Sequence, residues 1–430
     1  MADIRKYKLA DYIDSFGDGI HGTPNYDENG EYYFINGNNL KNGKIEITSN
    51  TLKISSDEYK RIKRNLSDNT LLVSINGTLG NIAFYNNEKI SLGKSACFLN
   101  LNKCACRPFI RYVLESKEFK TYMNRVAGQS TIKNVSPTQV SEYEFFAPSY
   151  SDQARIAKVL STIDREITIN REINRNLEEL AKQIYDYWFV QFDFPNEEGK
   201  PYKSSGGKMV WNEFLKREIP ADWEVKRLGE ILVKIDSGKR PAGGINKALK
   251  SGIPSLGAEC IDDLGVFDFS STPFIDNSYR NKLTTGKICN NDILVYKDGA
   301  YVGKITLFRD NFPYEEVFVN EHVFLIHAQE ECLEEYLYFS LKQKAYFQIM
   351  QNLGKAKAAQ PGLNREDMQN ILLIVPNKNI VSVFHNKVGL LFENLFNNAR
   401  AIGNLSSLRD NLLPLLMNGQ VTLNSCLSAD

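Results

Sequence analysis

The sequence predicts an α+β protein in which two similar globular domains are joined by two long helices that pack on each other with coiled-coil spacing. The first observation is the length of 430 residues with 42% hydrophobic residues, which is too long for one ordinary domain and ample for two sizeable cores. The second is that motifs recur about half a chain apart. The third is a pair of long stretches whose apolar residues follow helical spacing.

The internal repeat relates three pairs of segments in the same order. The matched segments are 70–77 with 292–299, 128–133 with 354–359, and 143–148 with 371–376. Gly77 and Gly299 lie 222 positions apart, Gly128 and Gly354 lie 226 apart, and the prolines that end the last pair lie 228 apart. This slow drift indicates small loop insertions in one half of a pseudo-two-fold repeat.

Each repeat is followed by a stretch with coiled-coil spacing, and an offset of 228 places one stretch on the other. Ser151 or Asp152 is the expected N-cap of the first helix. Asn170 falls on Asn398, and an asparagine in a coiled-coil seam fixes its register. Taken singly, each helix fits a plain amphipathic core helix as well. The predicted seam consists of Leu160, Ile163, Ile167, Asn170, Leu177, Ile184, Val388, Leu391, Leu395, Asn398, Ile402, Leu405 and Leu412.

The remaining sequence sets the predicted domain boundaries. Segments 69–84 and 291–308 are rich in β-branched and aromatic residues and are interrupted by glycines, which indicates strands, and 109–123 and 333–350 have helical patterns. Segment 194–207 is rich in turn residues. The predicted division is a first domain at 1–150, a central helix at 151–190, a linker at 191–220, a second domain at 221–376, a C-terminal helix at 377–418 and a tail at 419–430.

Composition excludes several classes of protein. The chain has 52 Lys and Arg against 52 Asp and Glu, so it does not coat nucleic acid by bulk charge. Its seven scattered cysteines form no C-x-x-C pair and fit free thiols in a reducing compartment, and with four histidines no metal site is expected. Neither a signal peptide nor a membrane-spanning run is recognisable, which predicts a cytoplasmic protein that does not contact the membrane.

Catalytic motifs are also missing from the sequence. The glycines at 17–22 match G-x-G-x-x-G but are followed by a loop containing Pro24, and Glu88 stands where a P-loop would need its first glycine. The tetrapeptide with which amino-methyltransferases bind a flipped base is absent from the chain. We therefore expect no catalytic residues, no cofactor and no metal in this chain, and a binding rather than an enzymatic role.

Several segments resemble the specificity subunit of type I restriction-modification systems, the HsdS family. They are QARIAKVLSTID at 153–164, NREIN at 170–174, WFVQFDFP at 188–195 with KSSGG at 203–207, EIPADWEV at 218–225 and QPGLN at 360–364. The resemblance covers essentially the whole chain. It departs at 379–384, where NIVSVF replaces the family's usual start of the second helix.

The resemblance implies a DNA-recognition function. Each domain would be a target-recognition domain that reads one half of a bipartite, asymmetric double-stranded DNA target. The two long helices would form an antiparallel coiled coil that sets the unread spacer and docks two modification (methyltransferase) subunits that bind S-adenosylmethionine. Restriction (translocase and endonuclease) subunits that use ATP and Mg would join the same complex. The alternatives left open are a stand-alone DNA methyltransferase or nuclease, a free-standing two-domain DNA-binding regulator, a coiled-coil scaffold, and a methylation-only system.

Candidate DNA contacts lie in polar loops that follow glycine, where Lys, Arg, Asn and Gln could reach phosphates and base edges. For any single lysine, a solvated surface position is an equally good reading. The candidates are Gln129, Ser130, Thr131, Lys133 and Asn134 in the first domain, and Lys239, Arg240, Lys355, Lys357, Gln360 and Asn364 in the second.

Overall fold

The computed structural model describes residues 4–41, 43–128, 133–239, 249, 251–299, 301–329, 333–355, 362–418 and 420–421. The chain divides into two compact units, the first comprising 1–165 with 406–430 and the second comprising 166–405. These boundaries fall inside the two long helices and not at the predicted ends of the domains. Each unit therefore consists of one domain together with a part of each long helix.

The first unit is built on an antiparallel sheet and four short helices. Its strands are β1 (Arg5–Lys8), β2 (Ile13–Asp18), β3 (Tyr32–Ile35), β4 (Leu40–Lys41), β5 (Lys44–Ile45), β6 (Lys53–Ile54), β7 (Thr70–Ser74), β8 (Ile82–Phe84), β9 (Ile90–Leu92), β10 (Ala96–Leu101) and β11 (Glu144–Ala147). Its helices are α1 (Ser56–Ile62), α2 (Arg107–Glu115), α3 (Lys117–Val126) and α4 (Pro137–Ser141).

The four-stranded sheet of the first unit has the order β2-β10-β7-β8, with every pair antiparallel. All residues of β7 and β10 are buried, because helices cover one face of the sheet and smaller sheets cover the other. The smaller sheets have the orders β6-β3-β9, in which β3 and β9 are parallel, β1-β11 and β4-β5. Phe109 of α2 and Phe119 of α3 are fully buried in the core.

The second unit repeats this topology. Its strands are β12 (Met209–Asn212), β13 (Arg217–Pro220), β14 (Glu224–Arg227), β15 (Leu232–Ser237), β16 (Ile253–Leu256), β17 (Phe274–Ile275), β18 (Ile293–Tyr296), β19 (Ile305–Leu307), β20 (Phe318–Val319), β21 (Val323–Ala328) and β22 (Leu372–Val375). Its helices before the C-terminal one are α6 (Glu334–Lys342), α7 (Lys344–Lys355) and α8 (Arg365–Gln369). The sheet order β15-β21-β18-β19 matches β2-β10-β7-β8, and β17-β16-β20 matches β6-β3-β9. The predicted repeat is confirmed at the level of strand order.

The two long helices are α5 (Tyr150–Tyr185), which continues into a π-helical turn at Asp186–Val190, and α9 (Lys378–Met417). The bounds of α9 agree with the prediction. The N-cap of α5 is neither Ser151 nor Asp152 as predicted, because the Ser149 hydroxyl accepts the bond from the Asp152 amide at 3.3 Å. Not one helix in the described ranges is long and apolar enough to cross a membrane.

The two long helices run antiparallel in each unit. In the second unit, the Asn174 side chain donates to the Leu395 carbonyl at 3.0 Å, and the ring of Tyr185 lies 6.2 Å from that of Phe384. Later residues of α5 thus lie beside earlier residues of α9. In the first unit, Arg409 Nη1 bonds Asp164 Oδ1 at 2.9 Å, and Ile156 and Leu160 share a core with Leu413 and Leu416.

The residues of the predicted seam pack against domain side chains as well as against the opposite helix. Leu160, Ile163, Ile167, Val388 and Leu395 are buried, and Asn170, Leu177, Ile184, Leu391, Asn398, Ile402, Leu405 and Leu412 are half-buried. Asn174, which lies one helical turn after Asn170 on α5, is buried at 7% exposure. Phe392 and Phe396 of α9 are also fully buried, and Phe392 packs on rings of α6. The helices therefore serve as core helices of the domains as well as partners of each other.

The segment 191–220, predicted as a linker, is folded as part of the second unit. This segment contains the antiparallel hairpin of β12 and β13, and Phe192 and Phe194 are buried at 1% and 3% exposure. The Phe194 ring stacks on Trp223 with centroids 4.9 Å apart. The turn residues concealed these aromatic positions, which join the core of the second unit.

Truncating the buried face of α9 tests this packing. Phe392→Ala should lower the free energy of unfolding by about 3–5 kcal/mol, because it leaves a cavity beside Tyr338 and Phe339. Leu390→Ala on the same helix, at 61% exposure, is the matched control and should change stability by less than about 0.5 kcal/mol. Denaturant unfolding monitored by fluorescence measures both, and equal effects would contradict the burial of this face.

Candidate nucleic-acid interface

In the first unit, a strand turn and a helix-to-helix loop lie against each other. We call this the first loop pair, made of the turn at 75–81 between β7 and β8 and the loop at 127–135 between α3 and α4, of which 129–132 are not described. The Val135 amide donates to the Ile75 carbonyl at 2.9 Å, and the Gly77 amide donates to the Lys133 carbonyl at 3.1 Å. Backbone bonds therefore join the two loops.

The second unit has an equivalent arrangement. The second loop pair is the turn at 297–304 between β18 and β19 and the loop at 356–364 before α8, described at 297–299, 301–304 and 362–364. The Leu363 amide donates to the Lys297 carbonyl at 3.0 Å, and Asp298 forms an antiparallel bridge with Gly362. The corresponding bridge in the first unit joins Asn76 and Asn134. The sequence repeat predicted that these segments correspond, but not that they touch.

Glycine is required at two positions of these turns. Gly77 has φ +74° and Gly299 has φ +124°, a region that other residues rarely adopt. At Gly362 the constraint is space, because a Cβ there would lie 2.5 Å from Asp298 Oδ1. These glycines allow the backbones to turn and approach closely, so that the neighbouring polar side chains are held at the surface.

The first loop pair presents amides and a lysine. Asn76 Nδ2 donates to Asn134 Oδ1 at 3.3 Å, and the exposed Lys133 ammonium donates to Asn124 Oδ1 at 2.5 Å. Lys94, two residues before the start of β10, is also exposed. Such groups can donate to phosphates and to base edges.

The second loop pair presents a different set of groups. His322 Nδ1 lies 3.3 Å from Asp298 Oδ2, and the Lys297 ammonium lies 3.9 Å from the same oxygen. Lys297 also donates to the Glu321 carbonyl at 3.2 Å. Tyr301 in the turn is 66% exposed. The second loop pair therefore carries a carboxylate and an imidazole where the first carries neutral amides.

The structure describes only some of the predicted contact residues. Lys133, Asn134, Lys239 and Lys355 are exposed, as DNA-contacting residues must be in the free protein. Asn364 is exposed, but its Oδ1 accepts from the Asp367 amide at 2.7 Å and caps α8. Outside the described residues lie Gln129, Ser130, Thr131, Arg240, Lys357 and Gln360.

Sequence reasoning missed Asn76, Asp298 and His322 as members of these sites. The available signal was the repeat itself, since Asn76 and Asp298 each precede the matched glycine of the turn. His322 gave no signal, because its approach to Asp298 depends on the folding of β21 beside β18.

A buried ionic network connects α6 to α9 in the second unit. Glu335 is fully buried and accepts from Arg309 Nη1 at 2.5 Å and from His385 Nδ1 at 2.8 Å. Ligand-type atoms of Glu334, Glu335 and His385 lie within 4.8 Å of one another. Because Arg309 and His385 already bond both oxygens of Glu335, we interpret the cluster as an ion-pair network.

This network shifts the pKa values of its members. Burial raises the pKa of Glu334 to about 7. Burial also acts to raise the pKa of Glu335, but the bonds from His385 and Arg309 outweigh it and lower that pKa. The hydrogen bond to Glu335 raises the pKa of His385 above its ordinary value near 6.5.

The first unit has a corresponding connection between its domain and the helices. Asp164 of α5 accepts from Tyr112 Oη at 2.7 Å and from Arg409 Nη1 at 2.9 Å, and Arg111 Nη2 lies 3.3 Å away. The acidic side chain of one long helix thus contacts both α2 and the other long helix, which fixes the domain against its helix segments.

Comparison with known proteins assigns this architecture to a class. The family described as type I restriction modification DNA specificity domain matches residues 1–179 and again 220–388. A crystal structure described as the S subunit of a type I restriction-modification system from M. genitalium superposes with a TM-score of 0.52 at 19% identity, covering 96% of each chain, and shows that the fold is the same.

Curated relatives have the same family name. The specificity subunit of the type I restriction enzyme MjaIX from Methanocaldococcus jannaschii is 28% identical over 93% of this chain and 86% of its own length. That of the enzyme HindI from Haemophilus influenzae is 23% identical over 98% of this chain and 100% of its own length. The chain belongs to the type I restriction-modification DNA specificity domain family, as the sequence resemblance indicated.

The pKa shifts predict that stability falls as the pH rises. Between the unfolded pKa of glutamate, about 4.3, and about 7, the unfolded chain releases a proton that folded Glu334 keeps. The contribution of His385 is fully present below its unfolded pKa of about 6.5 and is lost as the pH rises through its higher folded value. The free energy of unfolding should therefore decrease between pH 5 and pH 8.

Thermal melts at several pH values check this, with Glu334→Gln as the comparison. Glu335, whose pKa is lowered, contributes in the opposite sense only at more acidic pH and does not reverse the trend. The Gln variant should lose less stability between pH 5 and pH 8 than the natural chain. Parallel pH profiles of the two proteins would show that Glu334 does not titrate as the structure requires.

Proposed function

We propose that this chain is the DNA-recognition subunit of a type I restriction-modification complex, and that each domain reads one half of a bipartite, asymmetric target. The observation that carries this proposal is the duplicated loop pair, which repeats one backbone arrangement with different polar groups. Phosphate contacts give register and affinity, whereas groups at base edges give sequence. Two readers with unequal side chains select two unequal half-sites.

The antiparallel helices would set the unread spacer between the half-sites and dock two modification subunits. In this proposal the modification subunits bind S-adenosylmethionine and methylate adenine, and restriction subunits use ATP and Mg to move and cut DNA. This chain contributes recognition and positioning but no catalytic step. The matched relatives support this assignment, since they are specificity subunits of type I restriction enzymes.

The balanced charge fits a reader that acts inside a complex. With equal numbers of basic and acidic residues, the chain neutralises few phosphates by itself. Partner subunits would supply much of the salt-dependent affinity. This is supported by the zero formal charge and by the small number of exposed lysines among the described residues of the two loop pairs.

The spacer role is tested by lengthening both helices where the two units divide. Four residues are inserted between Arg165 and Glu166 and four between Leu405 and Ser406, which leaves the contacts of Asp164 in the first unit and of Asn174 in the second unchanged. At 1.5 Å per residue this adds about 6 Å, equivalent to roughly one to two base pairs. Both half-sites should stay the same while the spacer lengthens.

Mapping of methylated adenines, in a host that carries this chain with its modification subunit, measures the spacer. The control places the same insertion in the exposed turn between β12 and β13, after Glu213, and should leave the spacer unchanged. Absence of a bipartite methylated motif with the natural chain would refute the proposed function. An unaltered spacer in the helix insertion would refute the spacer role of the helices.

A further inference from the structure

We infer that Asp298, oriented by His322, is a specificity-determining residue that accepts a hydrogen bond from the amino group of a cytosine in the second half-site. This inference rests on the proposed function and names one contact within it. It concerns a residue pair that the structure brings together from the turn at 297–304 and the segment just before β21.

The first step is the correspondence between the two units. The Ile75 amide donates to the Ser95 carbonyl at 3.0 Å, and the Lys297 amide donates to the His322 carbonyl at 2.9 Å. His322 thus stands where the first unit has Ser95. By the bridges described above, Asp298 stands where the first unit has Asn76.

The second step is that these side chains are not needed to build the loops. Each turn is joined to its neighbouring loop and strand by backbone hydrogen bonds. The bond from Val135 to Ile75 corresponds to that from Leu363 to Lys297, and the bond from Ile75 to Ser95 corresponds to that from Lys297 to His322. The side chains at the equivalent positions differ in charge and hydrogen-bonding type. A constant backbone with changed polar groups at its surface is the arrangement expected where a repeated domain reads different partners.

The third step is that the Asp298 carboxylate is fixed but accessible. His322 and Lys297 flank its Oδ2, at 3.3 and 3.9 Å, and a Cβ added at Gly362 would lie 2.5 Å from Oδ1. The Asp298 side chain is 24% exposed. A carboxylate held in this way on two sides loses little further freedom on binding.

The fourth step is chemical. An ionised carboxylate only accepts hydrogen bonds, and phosphates repel it, so it does not serve affinity for the DNA backbone. In the major groove the donors on base edges are the amino groups of cytosine and adenine. Asp and Glu pair with cytosine N4, whereas adenine is read by the amides of Asn and Gln. Asp298 therefore favours cytosine, and the Asn76–Asn134 amides of the first unit differ from it in this respect.

The experiment uses this chain in complex with its modification subunit and a DNA library randomised at both half-sites. In Asp298→Asn, the preference at one base pair of the second half-site should fall by about 5- to 150-fold, with the first half-site unchanged. The control Glu213→Gln removes one negative charge from an exposed turn of the same unit and should change neither half-site. The reciprocal Asn76→Asp should shift one position of the first half-site toward cytosine.

The outcomes separate this inference from the proposed function. If the natural complex selects no bipartite target, the proposed function fails. If it selects one and folded Asp298→Asn leaves every base preference intact, or weakens both half-sites equally, the reading role of Asp298 is refuted. If Asp298→Asn does not fold, Asn76→Asp decides, and unchanged preferences in the first half-site would overturn the correspondence on which the inference depends.

Discussion

The burial of the two long helices in the domain cores is the constraint on which the rest of the structure depends. Each helix contributes residues to both units, and within each unit the helix segments are core elements and not external stalks. Phe392 on α9 and Leu160 on α5 are fully buried among domain side chains. Because a domain cannot turn without breaking these contacts, the position of its loop pair is fixed relative to its own helix segments.

Polar contacts add specificity to this apolar packing. Asn174 donates to a backbone carbonyl of the opposite helix, and a buried donor of this kind loses its partner if the helices slide by one residue. The half-buried carboxylate of Asp164 and the buried carboxylate of Glu335 lie at the two domain–helix connections, each bonded to groups from more than one element. Removing one bonded partner of such a carboxylate leaves its negative charge uncompensated, so a single arrangement of the domain and its helix segments is favoured.

Much of this architecture could be predicted from the sequence, because periodicity and repetition can be recognised without knowing which distant residues meet in the fold. The strand and helix segments, the bounds of α9 and the correspondence between halves followed from them. What could not be predicted depends on partners distant in sequence. The bond from Asn174 joins residues 221 positions apart, and the core role of Phe194 requires Trp223 to stack on it. Likewise, seam periodicity gave Asn170 but could not show that domain side chains would cover a wider face of each helix.

The loop pairs show how one scaffold can serve two readers. In each unit the turn, the neighbouring loop and the adjoining strand are joined by amide-to-carbonyl bonds, such as Val135 to Ile75 and Leu363 to Lys297. Backbone bonds do not depend on which side chains stand at those positions, except where the backbone conformation favours glycine, as at Gly77 with φ +74°. The equivalent surface side chains therefore differ, Asn76 and Ser95 in the first unit against Asp298 and His322 in the second, while the backbone bonds of the turns are kept. In the proposed function, the backbone atoms of these residues would carry stability and their side chains recognition, which would allow the two halves of a duplicated protein to diverge in chemistry while their geometry is retained.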